Sequence, residues 1–163
     1  MSLVHFRVDD RLVHGIIAGY WTNHLNATRI MVIDDEASKN EMVRTSLRMA
    51  TPATVSLSVL TLDKAVTNIL NGNYENQRVF VIAKCPEVFA ELQKCGIEIP
   101  QLTMGNITYA PERLKIARTV SVNQVNIDAL KTLASNGTKI TSQLVPSDKE
   151  EDFMSMLKAA QKK

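Results

Sequence analysis

The sequence predicts an α/β fold: a single-domain, mostly parallel sheet with helices on both faces. Three observations lead there. Short runs rich in Val, Ile and Leu alternate with amphipathic helical segments along nearly the whole chain, and that alternation calls for parallel strands joined by crossover helices. The runs 29–33 and 78–83 are almost continuously apolar, as strands covered on both faces must be. The 163 residues carry no internal repeat and no long linker, which fits one domain spanning 1–163 that buries roughly 70% of its extended surface.

Residues 4–8 alternate apolar and polar and read as the first strand. Residues 15–27 read as a helix with Ile17, Trp21 and Leu25 on one face. Residues 29–33 form the second strand, ended by Asp34, Asp35 and Glu36, whose carboxylates favour the start of a helix. That helix covers 36–49 and turns Met42, Leu47 and Met49 inward. Residues 55–61 are the third strand. A helix over 62–70 comes next, with Leu62, Ala65, Val66 and Ile69 on one side, Asp63 as its cap and Gly72 near its stop. After the strand 78–83, Pro86 suits the first turn of a helix, where a missing N–H costs nothing. That helix runs to about Lys94, and Gly96 stops it. Residues 101–104 and 119–122 read as further strands, 126–135 as a helix ending before Gly137, 139–143 as the last strand, and 148–160, beyond Pro146, as a C-terminal helix.

Composition narrows the function classes. Nineteen Lys and Arg against 17 Asp and Glu leave a net charge of +2, which argues against a nucleic-acid binder driven by bulk charge. The longest apolar run, 79–83, is far short of the roughly 20 residues of a spanning helix. The first residues lack a basic segment leading into an apolar core, so a cytoplasmic location is expected. Cys85 and Cys95 sit at opposite ends of a predicted helix, roughly 14 Å apart at 1.5 Å per residue. A disulfide needs Cα atoms within about 7 Å, so two free thiols, buried or half-buried, are expected. No Cys/His cluster suggests a metal, and with neither GxGxxG nor P-loop present no nucleotide cofactor is expected.

Right-handed crossovers gather the loops after parallel strands at one sheet edge, where ligands of such folds bind. Those loops are 9–15, 34–36, 61–63, 84–86, 105–109 and 123–126. The first is the richest: Asp9-Asp10-Arg11-Leu12-Val13-His14-Gly15 crowds two carboxylates, a guanidinium and an imidazole between a strand and a helix. The N–H groups of Gly15, Ile16 and Ile17 at that helix start make a backbone site for an anion. Arg11 adds a planar fork that fits phosphate oxygens in pairs. An imidazole is largely unprotonated at neutral pH and able to act as a nucleophile. The spacing suits a nucleophile beside a phosphate cradle; taken alone it suits a turn-stabilising Asp–Arg pair and a capping histidine better. His5 and His24 read as structural side chains and Lys84 as a solvated one.

The segment Asp9-Asp10-Arg11-Leu12-Val13-His14-Gly15, directly after the first strand, resembles the DDRL(I/V)HG signature of the IIB subunits of the mannose/fructose/sorbose family of bacterial sugar phosphotransferase systems (PTS). The likeness extends to Trp21, to Arg29-Ile30-Met31-Val32-Ile33-Asp34-Asp35, to Lys64-Ala65 and to Gln143-Leu144-Val145-Pro146, and so covers essentially the whole chain. The resemblance implies the sorbose-type IIB fold and a phosphotransferase subunit. Such a phosphocarrier accepts a phosphoryl group on His14, at Nδ1, from a phosphohistidine of a IIA partner. It passes the group to a sugar (mannose, fructose, sorbose or an amino sugar) entering through a membrane IIC/IID complex, with which it associates peripherally. The same resemblance makes Arg11 the phosphate-stabilising arginine and leaves Asp10 to orient Arg11 or His14. Many relatives carry Gln where this chain has Ile16; an N–H donor survives that change and a side-chain contact does not. The rival reading is a receiver-like regulatory domain phosphorylated on Asp, with Asp9 and Asp10 as its carboxylate pair and Lys84 as its lysine. Its acceptor would stand at the end of the third strand, where the chain reads Leu60-Thr61-Leu62-Asp63.

Overall fold

A computed structural model describes residues 2–163; Met1 lies outside the described residues. Strands β1 (Leu3–Asp9), β2 (Arg29–Ile33), β3 (Ser56–Leu60), β4 (Val79–Ala83), β5 (Gln101–Asn106), β8 (Lys139–Ser142) and β9 (Glu151–Asp152) make one sheet in the order β3-β2-β4-β1-β5-β8-β9. All its pairings are parallel except that of β9 with β8. A separate antiparallel hairpin, β6 (Leu114–Ala117) with β7 (Val120–Val122), stands between β5 and β8 in the chain.

The helices divide between the two faces. On one lie a π-helical turn (Ile17–Trp21) running into α1 (Thr22–Leu25), then α2 (Asp35–Lys39) and α3 (Glu41–Ala50). Their Ile17, Trp21, Ala37 and Leu47 pack on Ile30, Val32, Phe80 and Ile82. On the other lie α4 (Leu62–Leu70), α5 (Pro86–Lys94), α6 (Gln124–Ser135) and α7 (Phe153–Gln161). Their Ala65, Phe89, Leu130 and Phe153 pack on Met31, Val79, Val81 and Met104. Alternate residues of β2 and β4 serve opposite cores, so both strands are apolar throughout. The connection after β1 leaves on the α1 face and those after β4 and β5 on the other. The carboxyl end of β1, between those two strands, is therefore a switch point in strand order. Among the described residues no helix is long and apolar enough to cross a membrane.

Several expectations need correction. The helix read over 36–49 is two helices, because Asn40 adopts an extended backbone and caps α3 through its side chain. The face of α3 that packs inward carries Val43, Leu47 and Ala50. Met42 and Met49, expected inside, sit a helical step away at 81% and 82% exposure. The helix read over 15–27 is π-helical in its first part and ends at Leu25, where Asn26 takes a left-handed φ of 51°. The 119–122 strand pairs with 114–117 outside the main sheet, linked to the end of β5 by a bridge between Ile107 and Val120 and by Thr119 Oγ1 donating to the Gly105 carbonyl. The C-terminal helix starts at Phe153 rather than 148, because Glu151 and Asp152 pair with β8 first and Asp152 then caps it. Thr61, not Asp63, caps α4. Cys85 and Cys95 are free, but Cys95 is exposed. Lys84 is paired with Asp34 at 3.5 Å rather than simply solvated.

On β1 the pleat sends Phe6 and Val8 into the α4–α7 core and His5, Arg7 and Asp9 toward the α1 face. A strand that buries a cation and an anion must partner them. Arg7 is fully buried. It donates from Nη1 to the Gln143 carbonyl (2.8 Å), from Nη2 to the Leu144 carbonyl (3.0 Å) and from Nε to Asp9 (3.4 Å). Trp21 covers its guanidinium at 5.0 Å and donates its own Nε1–H to the Leu144 carbonyl at 2.8 Å. His5 stacks on Trp21 with ring centroids 5.0 Å apart and bonds Thr103 at 3.1 Å. Burial, then the Arg7 charge, lowers the His5 pKa to about 4.

Gly105 is required where it stands, since a Cβ there would collide with the Arg7 guanidinium. Gly105→Ala should cost about 1–3 kcal/mol, the range for overpacking a filled core, read as a lower urea midpoint at pH 7. The His5 shift sets a pH dependence. Its folded pKa of about 4 lies below the unfolded value of about 6.5, so the unfolded chain takes up the proton first. This contribution to stability is full above pH 6.5 and is lost as the pH falls toward 4. Between pH 7 and pH 5 the loss should reach about 2 kcal/mol, and His5→Gln should flatten that slope in paired urea titrations.

Candidate active site

The first loop is built by a tight reversal at the end of β1. Asp10 N–H bonds the Asn106 carbonyl at 2.9 Å, and Leu12 N–H bonds back to the Asp9 carbonyl at 3.0 Å. Leu12 holds φ at 56°, a left-handed conformation that costs a branched side chain roughly 1–2 kcal/mol. Burial of Leu12 and Val13 in the α1-side core offsets that cost. The chain then turns back, and His14 lies over Asp9.

Asp9 is the centre of the cluster. Its buried Oδ2 lies 3.0 Å from His14 Nε2 and 3.4 Å from Arg7 Nε. Its Oδ1 accepts the Arg11 backbone N–H at 3.1 Å and Arg11 Nε at 3.4 Å. Burial works against the ionised Asp9 carboxyl. The His14 hydrogen bond, the Arg7 charge and the Arg11 N–H outweigh it and hold the pKa below the ordinary value. An ionised carboxylate only accepts, so the proton of a neutral His14 ring belongs on Nε2, and the lone pair belongs on Nδ1. Among the described residues no hydrogen bond reaches Nδ1. The His14 side chain is 19% exposed and that of Arg11 43%, so solvent reaches both.

Asp10 does something other than expected. Its Oδ1 accepts Asn106 Nδ2 at 2.6 Å and its Oδ2 accepts the Thr108 N–H at 2.8 Å. It ties the loop to the end of β5 and bonds neither Arg11 nor His14. Neighbouring side chains at a strand end leave on opposite sides, so only one of the two aspartates meets the ring. Sequence reasoning overlooked Asp9 as that partner and Arg7 as its support. The available signal was the period-two column His5, Arg7, Asp9, polar residues on a central strand otherwise flanked by apolar ones.

The helix start follows directly on His14. Its first bond runs from Ala18 N–H to the His14 carbonyl at 2.8 Å, which leaves the N–H groups of Gly15, Ile16 and Ile17 without an intrahelical acceptor. No side chain caps this start and no acidic residue stands in its first turn. A Cβ on Gly15 would meet nothing within 4 Å, so the space in front of it is open. Ile16 packs, half-buried, against the α1-side core. The receiver-like reading loses its geometry: β3 lies at the sheet edge, with β2 and β4 between it and β1. Thr61 at its end is a helix cap, Asp63 lies in the first turn of α4, and Lys84 is held by Asp34.

Known proteins share both the sequence and the fold. Residues 3–163 match the family model described as the PTS system sorbose subfamily IIB component. The sorbose-specific EIIB component of Klebsiella pneumoniae is 31% identical over 148 residues, 91% of this chain and 90% of that protein. The mannose-specific EIIAB component of Escherichia coli is 28% identical over 151 residues, 93% of this chain and 47% of that longer protein. The crystal structure of the IIBSor domain of the Klebsiella pneumoniae sorbose permease superposes with a TM-score of 0.93 at 29% identity, over 98% of each chain. A match that runs from β1 through the histidine loop to α7, in sequence and in fold, means that the chain belongs to the sorbose subfamily of PTS IIB components.

Proposed function

We propose that this chain, acting as a single domain, is the phosphocarrier of a sugar phosphotransferase system and that His14 Nδ1 accepts the phosphoryl group. The observation that carries this reading is the Asp9–His14 hydrogen bond of 3.0 Å, made at Nε2. It leaves the other ring nitrogen, Nδ1, unprotonated, on the same loop as Arg11 and the open N–H groups of the helix start.

The transfer needs little covalent chemistry from the protein. The Nδ1 lone pair attacks the phosphorus of a phosphohistidine on a IIA partner, the donor's N–P bond breaks, and the donor nitrogen keeps the electron pair. Positioning and charge stabilisation then do most of the catalysis. Arg11 leaves Oδ1 of Asp9 and turns its fork to the phosphoryl oxygens. The N–H groups of Gly15, Ile16 and Ile17 take the rest, as helix starts do for anions. In the second half a sugar hydroxyl attacks the phosphorus and the N–P bond to His14 breaks. The hydroxyl proton leaves to a base at the sugar site of the membrane IIC/IID complex. The EIIAB relative carries an A part with its B part, which supports a IIA unit as the donor. Exposed Tyr20 and Tyr109 lie on the segments that come after His14 and Asn106 and offer aromatic contact area to a partner. The relatives' names cover sorbose and mannose, in keeping with a sugar chosen in the membrane subunits. The expected setting is the cytoplasmic face of the membrane, in peripheral association.

Labelled phosphate supplied through a phospho-IIA protein should appear on the wild-type chain in a form that acid releases and alkali spares. His14→Ala should abolish that label, and Arg11→Ala should slow its appearance about 100-fold with an unchanged urea midpoint. Sugar phosphorylation that persists with purified His14→Ala protein would overturn the assignment. Label that hydroxylamine strips would point to an acyl phosphate instead.

A further inference from the structure

We infer that Arg7 is a positioning residue: by keeping Asp9 an anion in a fixed orientation, it sets which nitrogen of His14 is free to react. The inference rests on the reading of His14 as the phosphate acceptor and concerns a residue that touches no substrate.

Asp9 has two cationic neighbours with different freedom. Arg11 is 43% exposed in its side chain and reaches Asp9 at 3.4 Å. It is also the cation placed to meet an incoming phosphoryl group. A guanidinium that turns to phosphate no longer neutralises Asp9. Arg7 has no such freedom: its side chain is fully buried, two of its nitrogens hold the Gln143 and Leu144 carbonyls, Trp21 covers it, and Gly105 closes the space beside it. During transfer Arg7 is the one countercharge that stays in contact with the Asp9 carboxylate.

The sign of one hydrogen bond depends on that charge. An ionised Asp9 accepts from Nε2–H and leaves Nδ1 as the lone-pair nitrogen. A buried carboxyl without a cation beside it favours its neutral form. A neutral Asp9 would donate to Nε2 instead, the ring proton would move to Nδ1, and the nucleophile would be lost. The shared oxygen makes the coupling direct, since Arg7 Nε and His14 Nε2 both meet Asp9 Oδ2, at 3.4 Å and 3.0 Å. The clamp on residues 143 and 144 is a structural duty of the same side chain, so the test must separate the two.

Proton–nitrogen correlation spectra of the imidazole of unphosphorylated, ¹⁵N-labelled protein at pH 8 report the His14 tautomer without any transfer reaction. The wild type is expected to show the proton on Nε2; a proton on Nδ1 overturns the inference. Arg7→Met, which keeps bulk and removes charge, is expected to shift the ring toward the Nδ1–H form. It should also slow phosphate acceptance about 10–100-fold, the usual effect of losing an outer partner of this kind. A folded Arg7→Met protein that keeps Nε2–H overturns the inference. If that variant does not fold, Arg7→Lys decides: retention of Nε2–H with the charge kept supports the inference, and its loss overturns it. Trp21→Phe removes the bond to Leu144 but leaves the Arg7 charge, so it should leave the tautomer unchanged; a shift there would assign the effect to the clamp and overturn the inference. Failure of the wild type to take up phosphate would overturn the functional reading while the tautomer result stood by itself.

Discussion

A guanidinium and a carboxylate buried side by side on the central strand are the constraint around which the rest is arranged. Arg7 and Asp9 both have side chains of zero exposure, with Nε and Oδ2 3.4 Å apart. Removing two charges from water costs several kcal/mol per ion, and a buried pair of this kind is weak evidence of stability. What the pair supplies is geometry. Arg7 needs acceptors for its remaining donors, and the Gln143 and Leu144 carbonyls provide them, which brings the segment after β8 across the sheet edge. That segment in turn accepts the indole N–H of Trp21, which fixes where the first helix lies. The narrowness around the guanidinium explains a glycine on β5, and the second oxygen of Asp9 holds the loop at Arg11. Two ionised side chains thus join β1, β5, β8 and the first helix.

The site is electrostatically local. The chain carries a net charge of +2, so no strong overall field acts on an approaching anion. The positive potential near His14 comes from Arg11 and from backbone N–H groups at one helix start. Topology explains the location. Because β1 lies between strands whose connections leave on the other face, the loop after it projects where neighbouring loops diverge. The cleft of about 370 Å³ lined by Gln93, Glu98 and Asn136 lies at the amino ends of β5 and β8, away from His14. The proposed acceptor is partly open to solvent, at 19% exposure, as suits a group exchanged between proteins.

Much of this was legible in the sequence because the two periods, two and near four, are clean where elements are buried. The apolar runs became β2 and β4 with nearly the expected bounds, and Pro86 opens α5. The loop from Asp9 to Gly15 stood out by residue type alone. Less legible were features decided by direction rather than type. Asp9 and Asp10 are chemically identical neighbours, and only the pleat of β1 says which meets the imidazole. That pleat is itself reset by an irregularity between Leu3 and His5. Met42 and Met49 repeat at seven residues, as Val43 and Ala50 do, so the spacing allowed either stripe inward; the cap at Asn40 determined the phase. The 114–122 hairpin and the two-residue β9 are too short to produce a period, and they form because neighbouring strands present unpaired backbone.

The π-helical turn at Ile17–Trp21 has a consequence for how this protein can vary. A π turn is an α-helix that has absorbed one extra residue. Deleting one residue there would restore α geometry and keep the downstream part of the helix in phase. The same residues wound as a plain α-helix would instead carry the downstream part round by roughly 100°, since each helical residue turns by that angle. Trp21 would leave the Arg7 guanidinium and the Leu144 carbonyl together. The extra residue and the π turn must therefore be gained or lost together. Between His14 and Trp21 the fold thus holds a slack of one residue, taken up in the backbone rather than in the position of the indole.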